Sequence, residues 1–168
     1  MTLRLIATGG TFDKHYNELN GTLGFTESHL PDVIKRSRMT IPVALDVLPL
    51  LDSLDMQDAD RARILAACQA APEQAIVIVH GTDTMPETAA VLGAAALHKT
   101  IVLTGAMIPY AIANSDAQFN LGLACGERIY RDHGRGVGSR ENSRRRAHHD
   151  HPDATANPRP TPLPPCGP

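Results

Sequence analysis

An α/β fold on a mainly parallel sheet, followed by an irregular C-terminal tail, is what this 168-residue chain predicts. Three observations lead there. Residues 3–7 ("LRLIA"), 75–79 ("AIVIV") and 100–103 ("TIVL") are short runs dominated by aliphatic residues, the pattern of parallel strands covered on both faces. Between them lie helix-forming stretches, "DADRARILAACQAA" (58–71) and "ETAAVLGAAAL" (87–97), so strands alternate with helices. After residue 125 both patterns stop.

"VALDVLPL" (43–50) is a weaker fourth strand, and a further helix is expected near 117–125. "FDKHYNELNGTLGF" (12–25) is polar and aperiodic; it suits either a lid over a site or a surface hairpin. Asp55, Asp83 and Asp116 each precede a helical stretch and are candidate caps. Hydrophobic residues make up 42% of the chain but aromatics only 4%, with no Trp, so the core must be built from Ala, Val, Ile and Leu.

Residues 1–125 form one expected α/β domain, with 13 acidic against 8 basic residues; residues 126–168 form a low-complexity tail with 5 against 8. The tail is rich in Arg, Pro and His without apolar periodicity, which predicts disorder. Arg144–Arg146 read as a solvated cluster rather than a nucleic-acid site, because Tyr130 is the tail's only aromatic residue. His148, His149 and His151 lack a rigid frame, so no metal site is expected. No run approaches the ~18 apolar residues of a membrane span, and no signal-peptide pattern opens the chain. Cys68, Cys125 and Cys166 are scattered and read as reduced thiols, which places the chain in the cytoplasm.

The strand ends concentrate the chemistry. The first strand runs into Thr8-Gly9-Gly10-Thr11, the second into His80-Gly81-Thr82-Asp83-Thr84, and the third into Thr104-Gly105-Ala106-Met107. In open parallel sheets ligands bind beyond the carboxyl ends of strands, where connections diverge. Three such ends with Gly and Thr would bring hydroxyls and exposed amides to one crevice. Each threonine has an ordinary reading as well, a turn hydroxyl bonded to a neighbouring amide. His80 reads as a structural histidine rather than a base.

"ATGGT" (7–11) and "HGTDTMPETA" (80–89) resemble the two signatures of the bacterial-type asparaginase/glutaminase family. "KTIVLTGAMIPY" (99–110) and "SDAQFNL" (115–121) extend the resemblance, which spans residues 1 to about 125 and is nearer to short, single-domain relatives. It implies a Rossmann-like three-layer fold, hydrolysis of an amino-acid side-chain amide with release of ammonia, and no cofactor. By the same resemblance Thr11 is the nucleophile, Thr82 the second catalytic threonine, and Asp83 a catalytic-site residue that anchors the substrate α-amino group. Ser53 would hold the α-carboxylate, Gly10 and Gly81 would offer main-chain contacts, and Ala106 a carbonyl. Tyr16 is the nearest match to the tyrosine of the family's lid. Leu54 stands where relatives often carry Gln, and an apolar side chain cannot receive an ammonium group. A homo-oligomer is expected, because such sites are completed at a dimer contact.

One element of the family pattern is missing. The family's second threonine works with a lysine well beyond the "GAM" segment, whereas the last lysine here is Lys99, at a strand start. Arginine is no substitute for proton transfer, since a guanidinium stays protonated. The alternative reading is therefore a catalytically impaired domain that binds an amino acid.

Overall fold

The computed structural model describes residues 2–126; the expected tail, its arginine and histidine clusters and Cys166 lie outside the described residues. The chain runs β1 (Leu3–Gly9), β2 (His15–Asn17), β3 (Thr22–Gly24), α1 (Leu30–Ser37), β4 (Val43–Leu51), α2 (Asp58–Ala70), β5 (Ala75–Val79), α3 (Met85–Ala94) and β6 (Thr100–Thr104). A last helix, α4, occupies residues 117–126. Four strands form one sheet in the order β4-β1-β5-β6. All three pairings are parallel. The α/β fold with a parallel sheet is as the sequence predicts.

The strand sequences account for the layers. In β1, Leu3, Leu5 and Ala7 alternate with Ile6 and, in β5, Ala75, Val77 and Val79 alternate with Ile76 and Ile78. The first set packs with Leu30 and Val33 of α1 and with Ala117, Leu121 and Ala124 of α4. The second packs with Ile64 and Cys68 of α2 and Leu92 of α3. Helices thus cover both faces of the sheet, and all five residues of β5 are buried. Burial of each such aliphatic side chain contributes roughly 1.5–3 kcal/mol before chain entropy is set against it.

Several local details differ from the sequence expectations. Helix α1 has no counterpart in the sequence reading. Asp55 does not cap α2: it lies in a 3-10 turn, and Gln57 takes the cap position while the Asp60 carboxylate accepts from its main-chain N–H at 3.0 Å. Asp116 does not cap α4 either. Its carboxylate reaches back to the N–H groups of Met107 and Ile108 at 3.0–3.1 Å, and the Ser115 hydroxyl accepts from Ala117 N–H instead. The polar stretch after β1, by contrast, contains the hairpin that is one of its two readings, β2–β3, antiparallel with Tyr16 opposite Leu23.

Strand order places the crevice. From β1 the chain moves to β4 on one side, then crosses to β5 on the other side of β1 and continues outward to β6. Connections therefore diverge between β1 and β5, and their carboxyl ends carry Thr11 and Thr82.

Candidate active site

The end of β1 is forced through two left-handed glycines. Gly9 has φ 103° and Gly10 φ 73°. A methyl group on Gly10 would stand 2.4 Å from the Gly81 Cα, so the turns after β1 and β5 touch through their backbones. One on Gly81 would stand 2.5 Å from the Ser53 Oγ, and one on Gly105 would stand 2.4 Å from the His80 carbonyl oxygen. Four strand ends therefore meet with no room for side chains between them. Thr11 follows Gly10 directly, in the 3-10 turn Thr11–Asp13, and is half-buried. Thr82 follows Gly81 and is also half-buried; its hydroxyl lies 3.7 Å from the Met107 sulfur.

Side chains around this centre hold the turns in place. Thr8 donates to the Val79 carbonyl at 2.9 Å, tying β1 to β5. The Thr84 hydroxyl donates to the Ser53 carbonyl at 2.7 Å and fixes the buried serine beneath the crevice. The Ser53 hydroxyl points at the Asp83 carboxylate, 3.5 Å away. Asp83 is exposed, and Thr84 rather than Asp83 takes the N-cap position of α3, with no side-chain cap bond. The capping role expected of Asp83 is thus not what the structure shows, and its carboxylate lies beside Ser53. Asn120 donates to the Gly105 carbonyl at 3.0 Å and to Asp116 at 2.8 Å, which anchors the third turn.

His80 is structural, as the sequence suggests. Its ring is fully buried. Nδ1 lies 2.7 Å from the Gly81 carbonyl, which can only accept, so Nδ1 carries the proton. Nε2 then accepts from the Thr88 hydroxyl at 2.9 Å. Burial holds the imidazole below its ordinary value and keeps it neutral. Because a trans peptide is planar with C=O and N–H opposed, tethering the Gly81 carbonyl turns the Thr82 N–H away from the ring.

The remaining expected site residues are more peripheral. The Ala106 methyl is buried in the core, so only its main chain is available. Tyr16 is 57% exposed on β2. Its hydroxyl lies near the tip of its own hairpin, 3.9 Å from where a Gly21 Cβ would be. Leu54 is exposed beside Ser53. Lys99 sits at the opposite end of β6 and donates to the Cys68 carbonyl at 2.7 Å and to the Ala71 carbonyl, as its position before "TIVL" indicates. Thr8 and Thr84, which the sequence places at the strand ends, serve to fasten the turns, and Lys14 was passed over. The Lys14 ammonium pairs with Asp52 and joins the turn after β1 to that after β4. No cluster of three or more potential metal ligands occurs among the described residues.

The Thr11 and Thr82 turns, the buried Ser53 and the exposed Asp83 thus lie at the switch point of a parallel α/β sheet, the place where ligands bind in open sheets of this kind. The Asparaginase, N-terminal family model matches residues 2–137, and the chain belongs to the asparaginase family. L-asparaginase 1 of Escherichia coli strain K12 is 34% identical over 123 residues, 68% of this chain and 36% of that protein. The thermostable L-asparaginase from Thermococcus kodakarensis superimposes with a TM-score of 0.64 at 29% identity, over 76% of this chain and 40% of that one. L-asparaginase I from Vibrio cholerae gives 0.62 at 29% identity, over 71% and 38%. The chain thus spans little more than a third of the length of these three relatives.

Proposed function

We propose that this chain is an asparaginase-like amidohydrolase domain that cleaves the side-chain amide of L-asparagine, with L-glutamine as the second candidate. The observation that carries the reading is the backbone contact between Gly10 and Gly81, which sets the Thr11 and Thr82 turns side by side at the switch point. Amide carbonyls are poor electrophiles toward water, and a positioned hydroxyl splits the hydrolysis into two easier steps. Thr11 Oγ would attack the side-chain carbonyl, its proton passing to the departing nitrogen, so that ammonia leaves and an acyl-threonine forms. Water would then release the acid and restore the hydroxyl, with Thr82 relaying protons. Main-chain N–H groups of the glycine turns would stabilise the oxyanion, the Thr82 N–H, turned away from the His80 ring, among them. Ser53 and Asp83 would bind the α-carboxylate and α-amino groups, and Tyr16 would approach from the hairpin. Assembly as a homo-oligomer in the cytoplasm, without cofactor, belongs to the same proposal. The free, buried thiols of Cys68 and Cys125 suit a reducing compartment.

One observation favours a second reading, an amino-acid-binding domain with impaired turnover. Lys99 is held at the far end of β6, and no lysine follows it in the sequence. Ammonia release by the full chain on mixing with L-asparagine or L-glutamine separates the two. Turnover that falls by more than ~100-fold in both Thr11→Val and Thr82→Val supports hydrolysis at this site. Thermal stabilisation by L-aspartate without ammonia selects the second reading.

A further inference from the structure

The hairpin that follows Thr11 is fastened at its base by groups that the proposed hydrolysis does not use. The Asp13 carboxylate is fully buried and accepts from His29 N–H at 2.8 Å and from the Ser28 hydroxyl at 3.0 Å. Nε2 of His15, at the start of β2, donates to the Glu27 carbonyl at 2.9 Å. The His15 and His29 rings stack with centroids 4.0 Å apart and planes inclined by 26°. His29 also meets Tyr110, 5.1 Å away and tilted by 44°. Its Nε2 is buried with no hydrogen-bond partner among the described residues.

We propose that His29 is a positioning residue for the β2–β3 hairpin, and that its stack with His15 is a latch that acid releases. A neutral ring tolerates a partnerless buried nitrogen far better than a charged one does. Two imidazolium rings at this separation also repel each other. Both costs vanish when the hairpin swings out and water reaches the rings. Burial, followed by the nearby His15, holds the His29 imidazole below its ordinary value of 6.5 in the closed form, although the Lys14 main chain, Asp32 and Glu27 oppose them.

The direction follows from that ordering. Above the ordinary histidine range both forms are neutral and the latch holds fully. As pH falls below about 6.5 the open form takes up a proton first, and closure weakens progressively. Of the other groups facing the stack, Asp13 opposes release: burial raises its carboxyl in the closed form, so its protonation favours closure and limits the acid response. The Lys14 ammonium is turned to Asp52, and the Arg36 guanidinium donates to the far side of Tyr110, at its hydroxyl. The hairpin follows the Thr11 turn directly in the chain, so release of the latch would loosen the segment next to it; that consequence rests on the proposed function, whereas the hairpin motion does not.

Amide hydrogen exchange of the full chain between pH 5.0 and 7.5, corrected for intrinsic rates, tests the latch without any activity measurement. The expected result is an opening equilibrium for residues 15–24 that grows by up to about tenfold per pH unit below about 6.5, while β5 amides stay unchanged. His29→Phe keeps a ring in the stack and is expected to flatten the profile, as is His29→Gln. A flat wild-type profile, or a slope that survives in either variant, overturns the proposal.

Discussion

Gly10 shows most clearly how single residues limit this site. With φ 73° and ψ −179° it occupies a region that is essentially closed to side chains, and a methyl there would strike the Gly81 backbone. Gly10→Ala is therefore expected to cost more than about 2 kcal/mol and to lower the midpoint of thermal unfolding by several degrees, measured by calorimetry. An unchanged midpoint would mean that the two turns are not in contact. The glycines, Thr11 and Thr82 were legible in the sequence because they form short motifs at strand ends. Asp83 was ambiguous there, since a carboxylate before a helix serves equally as a cap or as a binding group; only Thr84 at the cap position separates the two. The fastening role of Thr8, and Lys14 altogether, could not be read, because their partners Val79 and Asp52 are distant in sequence.

Among the elements, the buried strands and α2 were read closely, because unbroken aliphatic runs and a long helix-forming stretch are strong signals. Helix α1 was missed for a physical reason. It has eight residues, no side-chain bond at its N-cap, and Pro31 within its first turn, so only Leu30, Val33 and Ile34 mark its buried side. Helix α4 offers a test of packing at this scale. A groove of about 400 Å³ opens between α1 and α4, lined by Leu5, Val33, Leu121 and Gly122 among others. Nothing lies within 4 Å of where a Gly122 Cβ would sit. Gly122→Ala removes backbone freedom from the unfolded chain and is expected to stabilise the domain by about 1 kcal/mol, read as a higher urea midpoint with unchanged slope. A lower midpoint would show that α4 is not a settled helix at this position.

For the molecule as a whole, the α/β class was legible but the strand order was not. Local sequence fixes which segments are strands; the crossing of α2 from β4 past β1 to β5 is decided by packing across the sheet. The two described cysteines report on both layers. Cys68 lies on the α2 side and Cys125 on the α4 side, and burial pushes each thiol up to about 11. Both are expected to resist iodoacetamide at pH 8 in the native chain and to become reactive at the same urea concentration, followed by peptide mass spectrometry. Alkylation of one layer well before the other would show that the two faces do not unfold together.

Where the glycine turns press together, the middle of the pocket is built from atoms that every amino acid possesses. Under the proposed hydrolysis, a new preference among small amides would arise at its margin, at Leu54, Asp83 or Met107, while the tight centre stays as it is. Such a division would leave the chemistry held by geometry and the choice of cargo open to drift.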